Sequence, residues 1–532
     1  MPVYRRFVNN LRTKKTGNPE SSRLLKQSSV VAACTLVSRL LGFVRDIIFA
    51  TLFGATASFD AFLCAFKIPN FFRRLFGEGA FSQAFIPVLV NLSKEHDEET
   101  VRRFISRIFS NLSIILLFLI AIVECVSPLV VLVFAPGFAH HLERYHLATN
   151  LLRIMFPYIL LISLTALCGA ILNTHKRFAV PAFAPVLLNV AFIVVALSLS
   201  SHVSQPIYLL AAAVLVGGVL QLALQIPVLI RLKLFPRFDL NWRDPGVTRV
   251  LKLMVPALFG VSVAQISLLV DNFFASFLRL GSLSWLYYSD RLTYLPLGVI
   301  GVAIATVVLP ELSRQSNQHA KQYSRTLDWA LRSALLVGVP AALSLIVLAG
   351  PMLATFFLRG NFSVFDVIMT EHSLWAFAFG LPAFMLIKIL ASAFYARENV
   401  KTPVKIAAIA LLVNIVGNVV LIHIIHQYKH AGLALSTSIA AYVNATFLLV
   451  ILIRKKIFVP SHDWLKYALR LLGSSILMVA AVFFSSASMH VWVVASLSYK
   501  VWHLFFLITL GIVVYFLCML VFGWRWRAGE AD

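Results

Sequence analysis

Several charged side chains stand inside segments that are otherwise apolar enough to cross a membrane, and these are the residues that could do chemistry. Ionisable groups at membrane depth are costly, so they generally face a cavity or a partner. The arginines among them are permanently charged, planar donors that suit phosphate or carboxylate groups. The set comprises Arg39, Arg45 and Asp46, then Asp60, Lys67, Arg73, Arg74 and Glu78, and later Asp271, Asp290 and Arg291. It predicts a cavity that attracts an anion, the opposite of what an exporter of cationic drugs needs.

Two interpretations of these charges compete. The arginines can bind an anionic substrate, or they can pair with nearby carboxylates or extend to the membrane surface. The carboxylates near them in sequence are Asp46, Asp60, Glu78 and Asp290. Anion binding is favoured for four arginines, Arg39, Arg45, Arg73 and Arg291. Both interpretations stay open for Lys67 and Arg74.

The composition shows which elements must hold these residues. The chain has 532 residues, of which 60% are hydrophobic and 13% charged, with a mean hydropathy of +0.87. A soluble domain has about 45–50% apolar and about 25% charged residues. The apolar runs are about 20 residues long, enough to cross about 30 Å of hydrocarbon as a helix, and they lack the period-two alternation of a membrane β-barrel. The sequence therefore predicts an all-α polytopic membrane protein.

Hydropathy and loop residues predict fourteen transmembrane helices. They lie near residues 29–53, 57–90, 105–134, 148–173, 179–200, 206–231, 250–279, 283–313, 325–358, 370–396, 402–426, 430–453, 465–488 and 501–523. The second segment is interrupted by Pro69, Gly77 and Gly79, which predicts a bent or broken helix. Pro69 is also expected to break the helical register before Arg73 and Arg74.

The charges of the loops predict the orientation. The net charge of +24 would suggest nucleic-acid binding in a soluble protein. Here the basic residues cluster in every second loop, as the positive-inside rule requires, so both termini are predicted to be cytoplasmic and no nucleic-acid partner is expected. The opposite side has only isolated cations, namely Arg144, Arg279, Arg359, Lys429 and Lys500.

Three landmarks recur at a nearly constant distance along the chain. Pro87 and Pro310 are 223 residues apart, as are Gly137 and Gly360, and the loops ending at Pro181 and Pro403 are 222 apart. Two related halves of six helices, inserted in the same sense, follow from this repeat, and transporters built this way bind substrate between the halves and rock them to alternate access. The predicted domains are a basic cytoplasmic extension (1–27), an N-terminal lobe (28–235), a C-terminal lobe (245–455), two additional helices (460–524) and a cytoplasmic tail (525–532).

Other chemistries find little support. The five cysteines show no C-x-x-C spacing, and His140, His141 and His146 have only Glu143 nearby, so a metal site is not favoured there. No nucleophile–base pair or phosphate-binding glycine loop is present, so we expect no catalytic residues and no enzyme. A membrane glycosyltransferase would need a large external loop with carboxylates, and a scaffold would not need arginines at membrane depth. Transport is therefore expected to use the membrane potential or an ion gradient.

The stretches SRLLGFVRDIIFATLFGA, DAFLCAFKIPNFFRRLFGEGAFSQAFIP and YYSDRLTYLPLGV carry a resemblance to a known family. They resemble the MurJ (MviN) family of lipid II flippases, and the similarity extends over nearly the whole chain from about residue 22. It implies the fold of the multidrug/oligosaccharidyl-lipid/polysaccharide exporter superfamily, with fourteen helices and a groove for the lipid tail at helices 13 and 14. It also implies transfer of lipid II, the undecaprenyl-pyrophosphate-linked peptidoglycan precursor, from the cytoplasmic to the periplasmic leaflet of the bacterial inner membrane.

The expected partners are membrane lipids and the cell-wall synthesis machinery. A flippase for another polyprenyl-linked glycan is the alternative, which the motif of the first two helices disfavours.

The resemblance also implies roles for particular residues. Arg39, Arg45 and Arg291 match arginines that bind the pyrophosphate, and Arg73 matches one needed for transport. Asp46 and Asp60 match acidic positions that organise or gate the cavity, and Glu78 is a further gating candidate. Some members bind sodium, at positions that match Asp271, Asn414, Asn418 and Thr437. Asn418 stands where an acidic residue is sometimes found, which should weaken the site, and packing between helices remains an alternative for this group.

Overall fold

The structure is a computed structural model that describes residues 19–74, 81–199, 203–315 and 320–523. Two predicted features, Glu78 and the cytoplasmic tail 525–532, lie outside the described residues, as does most of the basic extension. The α-helices are α1 Pro19–Phe53, α2 Ala57–Phe72, α3 Phe81–Glu95, α4 Glu98–Phe134, α5 Leu142–Met155, α6 Tyr158–Thr174, α7 Ala179–Leu199, α8 Ile207–Arg231, α9 Pro245–Ser276, α10 Ser282–Pro296, α11 Val302–Gln315, α12 Ala320–Val347, α13 Ala349–Phe356, α14 Val364–Tyr395, α15 Lys401–Ile424, α16 Lys429–Arg454, α17 Trp464–Ser485, α18 Met489–Val494 and α19 Leu497–Val521.

Ten helical segments are long and apolar enough to cross a membrane. An eleventh is the bent pair Ser282–Val299 and Ala303–Gln315, whose two parts meet at 41°. Within the described residues α1, α9 and the α2–α3 pair are not among these segments. α2 and α3 have 16 and 15 residues, each shorter than the roughly 20 that a straight span needs. The count of fourteen transmembrane helices stays a prediction.

In the second predicted segment α2 ends at Phe72 and α3 begins at Phe81, and the predicted interruption at Gly77 and Gly79 lies outside the described residues. Pro69 does not end α2, so the predicted break of register at this residue is wrong. The helix continues through Pro69 and passes into a π-type turn at residues 73 and 74. The Nε of Arg73 donates to Oδ1 of Asn70 at 3.1 Å, a contact across one helical turn. Proline is tolerated in such helices because neighbouring groups satisfy the freed carbonyl.

The chain divides into two compact units, and the first comprises residues 1–45, 69–125 and 153–258. In this unit α7 and α8 approach closely at Gly217, where an added Cβ would lie 2.5 Å from Leu188. One face of α4 binds the segment that follows α8. Arg107 forms ion pairs with Asp239 and Asp244 at 3.0 and 2.5 Å. This segment is therefore fixed against α4 before α9 begins.

The second unit comprises residues 46–68, 126–152 and 259–532. In two places in this unit a glycine that follows one helix packs against the end of another helix, and these contacts are called joints below. Gly360 has a φ of +54°, and the next residue, Asn361, donates its N–H to the carbonyl of Thr51 at 3.0 Å. Gly137 donates its N–H to the hydroxyl of Ser276 at 3.0 Å. A Cβ at either glycine would lie under 2.5 Å from the backbone of the opposing helix end.

These joints explain the spacing of the two glycines in the sequence. Each glycine follows the third helix of one predicted half and packs against the end of the first helix of the other half. The requirement for a residue without a side chain at both places accounts for this part of the 223-residue repeat. The two compact units each contain residues from both predicted lobes, and the lobes 28–235 and 245–455 remain a prediction.

Candidate functional site

Arg45 is oriented by neutral groups within the first unit. Its Nη1 donates to Oδ1 of Asn189 on α7 at 3.0 Å, and its guanidinium lies 5.5 Å from the ring centroid of Phe192. The amide nitrogen of Asn189 donates in turn to the carbonyl of Ser38 at 3.0 Å, which fixes the amide. The Arg45 residue as a whole is half-buried.

Arg39 lies nearly two turns before Arg45 on α1 and is also half-buried. It makes no hydrogen bond or ion pair with any residue in the described parts of the chain. In the same unit Arg73 is half-buried beside Asn70. These three predicted arginines therefore lie on α1 and directly after α2.

Asp46 and Arg291 meet in the second unit. The Asp46 carboxylate is 1% exposed and accepts a hydrogen bond from the hydroxyl of Tyr287 at 2.6 Å. Its other oxygen lies 3.4 Å from Nε of Arg291, whose guanidinium stacks 4.7 Å above the Tyr287 ring. The Arg291 side chain is still 40% exposed. Tyr287 therefore holds both members of the pair and leaves one side of the guanidinium open.

Asp60 is fully buried and receives four hydrogen bonds. Its Oδ1 accepts from the backbone N–H and the hydroxyl of Ser284 at 2.9 and 2.6 Å. Its Oδ2 accepts from the N–H of Gly281 at 2.7 Å and from Nη2 of Arg144 at 3.1 Å. The carboxylate thus satisfies two amides at the N-terminus of α10 and neutralises a buried arginine.

The four residues predicted to hold sodium come together on three helices of the second unit. The Asp271 carboxylate accepts from Nδ2 of Asn418 at 3.1 Å and from the hydroxyl of Thr437 at 3.2 Å. Asn414 donates to the same hydroxyl at 3.2 Å. Asn414 and Asn418 are 1% and 0% exposed, and their amide oxygens accept no hydrogen bond within the described part of the chain. The group is polar, its two asparagines are buried, and it has two unused oxygen acceptors.

Sequence reasoning missed four residues that position the predicted ones. Asn189 orients Arg45, Tyr287 holds Asp46 and Arg291, and Arg144 and Ser284 bind Asp60. The loop charges predict Arg144 to be an isolated external cation, whereas the residue is 6% exposed at the start of α5. One signal was available, because Tyr287 and Arg291 are four apart and share a helix face.

An apolar cavity of about 310 Å³ lies between α12, α13, α17 and α19. Its walls include Leu336 and Pro340 on α12, Met478 on α17, and Gly511 and Tyr515 on α19. Gly511 lets α19 pack closely against α17 at this cavity, since an added Cβ would lie 3.2 Å from Val482.

The sequence model described as the lipid II flippase MurJ matches residues 49–502. A probable lipid II flippase MurJ of Vibrio cholerae is 43% identical over 95% of this chain and 97% of that protein. The lipid II flippase MurJ of Burkholderia cenocepacia is 42% identical over 86% of this chain and 89% of its own length. The chain belongs to the MurJ family. This is a family of multi-pass membrane transporters, not of catalysts.

Solved structures agree with the family assignment. A lipid II flippase MurJ in an inward closed conformation matches with a TM-score of 0.78 and 29% identity, covering 92% of this chain and 98% of that one. An inward-facing multidrug transporter of the MATE family matches with a TM-score of 0.63 at 14% identity, covering 80% and 97%. The second match shows the fold alone. The MurJ-like, all-helical fold predicted from the sequence motifs is thereby confirmed.

Proposed function

We propose that this protein transfers lipid II from the cytoplasmic to the periplasmic leaflet of the bacterial inner membrane by alternating access. Membership of the MurJ family supports the substrate, because the curated relatives bear the name lipid II flippase. The apolar cavity at α17 and α19 supports a lipid substrate, since it offers a surface for the polyprenyl tail. We expect the cell-wall synthesis machinery to supply and consume this substrate.

The pyrophosphate is bound by Arg39, Arg45, Arg73 and Arg291 in this proposal. One observation supports it: Arg45 and Arg291 are each oriented by a side chain of another residue, and neither residue is fully buried. A guanidinium aligned in advance loses less conformational entropy when it binds a phosphate oxygen. Arginine also forms paired hydrogen bonds to two oxygens at once, which suits a diphosphate.

The carboxylates have separate roles in the proposal. Asp46 and the substrate both interact with Arg291 in this proposal. The substrate would therefore compete with the 3.4 Å ion pair between Asp46 and Arg291 when it binds, and re-formation of that pair would favour its release. Asp60 acts at a gate, because it joins α2 to the N-terminus of α10 and must lose partners if these elements separate. Glu78 is retained as a gating candidate on sequence resemblance.

A sodium ion is the proposed coupling or stabilising ion. The residues fit it: the carboxylate of Asp271, the amide oxygens of Asn414 and Asn418 and the hydroxyl of Thr437 are hard oxygen ligands. Two of these oxygens accept no hydrogen bond within the described residues, although both are buried. A rotated amide would present its oxygen and not its nitrogen to the ion. Bound sodium would supply a positive charge that compensates Asp271 and links α9 to α15 and α16.

The proposed topology has fourteen transmembrane helices with both termini in the cytoplasm. Adding α1, α9 and the α2–α3 pair to the eleven apolar segments supports this count. The alternation of basic loops supports the orientation. Labelling of single cysteines near each terminus with a membrane-impermeant reagent tests it, and labelling from the periplasm would contradict it.

The function is tested by complementation of a strain depleted of its lipid II flippase. Wild type and Arg103→Ala should restore growth, because Arg103 lies on the surface and pairs only locally with Glu99. Arg45→Ala and Arg291→Ala should fail at matched membrane levels. Lipid II that reacts with an impermeant reagent on spheroplasts should fall at least about tenfold in both variants, as expected for loss of a charged hydrogen bond to the substrate.

The outcomes separate the parts of the proposal. If wild type inserts but does not restore growth, the assignment of lipid II is wrong and another polyprenyl-linked glycan becomes the leading substrate. If Arg45→Ala and Arg291→Ala work as well as wild type, the arginine site is wrong while the flippase function stands.

A further inference from the structure

A second pocket, of about 270 Å³, lies at the C-terminal end of α13 and the N-terminal end of α19. The apolar cavity contacts α19 further along, from Leu507 onward. It belongs to the second unit and is lined by the last turn of α13, the residues after it and the first turn of α19. Two of its lining residues are cations, Arg359 and Lys500, and none is acidic. Both were predicted from sequence as isolated charges on the side opposite the basic loops.

Lys500 is buried without a counter-ion. The Lys500 residue is 7% exposed, and its Nζ donates to the carbonyl of Val493 at 3.2 Å. Lysine has three donors, so this bond leaves two for another partner. No ion pair with Lys500 occurs in the described ranges of the chain. A buried ammonium without a negative partner is unfavourable, and an anion in the pocket would remove that penalty.

Arg359 reaches the same pocket from a fixed backbone. Its Nη2 donates to the carbonyl of Thr355 at 2.9 Å, which leaves most of its five donors unused by that bond. The residues after it are anchored, because Asn361 donates to Thr51. Two like charges that line one small pocket repel each other, and an anion between them would convert this repulsion into attraction.

The position of the pocket indicates an amphiphilic ligand. The apolar cavity uses the same two helices, with Leu348 directly before α13, Met352 on α13 and Leu507 on α19. Lys500 and Leu507 are seven residues apart on α19, which corresponds to about 10 Å along a helix. A lipid has its phosphate and its chain at this kind of separation.

We propose that Arg359 and Lys500 bind the phosphate of a membrane lipid whose chain lies in the adjoining apolar cavity. The cation pair is distinct from the arginines on α1 and α10, but the apolar cavity is the one assigned above to the polyprenyl tail, so occupancy by a polyprenyl lipid rests on the proposed function whereas occupancy by a phospholipid does not. Phosphate on a lipid can come from a phospholipid or from a polyprenyl diphosphate, and both offer the same oxygens to the two cations.

Native mass spectrometry of the purified full-length protein in detergent tests the proposal. The probes are phosphatidylglycerol, undecaprenyl diphosphate and inorganic phosphate. Wild type should bind at least one of the two lipids far more tightly than inorganic phosphate. Lys500→Met and Arg359→Gln should each weaken lipid binding roughly tenfold, the loss expected for one charged hydrogen bond. Lys500→Arg should retain binding, because it keeps the charge.

Lys429→Met is the matched control, since Lys429 is an exposed cation on the same predicted side and lines neither pocket. Stronger binding of phosphatidylglycerol than of undecaprenyl diphosphate would identify a phospholipid site, and the reverse order would identify a polyprenyl site. Equal lipid binding by wild type and the double variant Arg359→Gln/Lys500→Met would overturn the proposal. So would binding of inorganic phosphate by wild type as tightly as either lipid, a comparison that requires no variant to fold.

Discussion

Asp60 and Asp271 are both carboxylates on helices of the second unit, yet their surroundings differ. Asp60 receives four hydrogen bonds, one of them from the guanidinium of Arg144. Asp271 receives its bonds from the neutral groups of Asn418 and Thr437. The amide oxygens of Asn414 and Asn418 beside it accept no hydrogen bond among the described residues.

The difference separates a structural joint from a binding site. A buried carboxylate whose charge is neutralised and whose oxygens are all bonded has no capacity left for a ligand. Asp60 therefore fixes α2 against α10, in keeping with a proposed gate. Asp271 accepts its hydrogen bonds from neutral groups, has two unused oxygen acceptors beside it and is compensated only in part by Lys67, so a cation can still be bound there.

Asp60→Asn should give the largest effect in this comparison. The amide keeps the volume but loses the charge that neutralises Arg144, and its nitrogen cannot accept from Gly281 or Ser284. Breaking a buried pair on one side costs about 3 to 5 kcal/mol. We expect a marked drop in the thermal unfolding midpoint of the purified protein, measured by intrinsic fluorescence, together with failure of complementation.

Two further variants calibrate that result. Asp463→Asn alters an exposed residue whose side chain makes no capping hydrogen bond, so the midpoint should not change. Ser284→Ala removes one hydroxyl while the backbone bond to Asp60 persists, and it should cost only about 1 kcal/mol. An Asp60→Asn protein as stable as wild type would show that the joint contributes nothing.

Both networks contain contacts that the sequence alone does not specify. Asn414 and Asn418 are four apart and share a face of α15, as helical periodicity predicts, but their place beside Asp271 was implied only by the family resemblance, and Asp271 lies 147 residues from Asn418. Arg144 and Asp60 are 84 residues apart, Asn189 and Arg45 are 144 apart, and Tyr287 and Asp46 are 241 apart. Such pairs are set by how helices pack against each other, which neither charge nor periodicity specifies.

The fold shows the same limit. The glycines at 137 and 360 were visible as a repeat, but only the structure shows that each packs against the end of a helix from the other half. The continuation of α2 through Pro69 was not predictable from the sequence. Proline weakens a helix locally, and the surrounding packing decides whether it ends there.

Asp271→Asn should give an intermediate effect that depends on the ion present. In potassium or choline buffer the variant should unfold near the wild-type midpoint, because the amide has the same shape and Asp271 forms no direct ion pair among the described residues. Sodium at 100 times the dissociation constant should raise the free energy of unfolding of wild type by about 2.7 kcal/mol, and its midpoint with it, and should leave the variant unchanged. Asp463→Asn should respond to sodium as wild type does. A sodium response that survives in Asp271→Asn would place the ion elsewhere, and its absence from wild type would contradict the site.

Lys67→Met should give the smallest effect and sharpen the comparison further. Lys67 is a half-buried cation on α2 that interacts electrostatically with Asp271 without forming a direct ion pair among the described residues. Its charge opposes the entry of a second cation, so its removal should tighten sodium binding by on the order of 1 kcal/mol, or about fivefold. The sodium dependence of the unfolding midpoint measures this shift, with Lys429→Met as the exposed control. Weaker sodium binding in Lys67→Met would mean that the lysine supports the site, and Asp271 would then resemble Asp60 as one half of an internal charge pair.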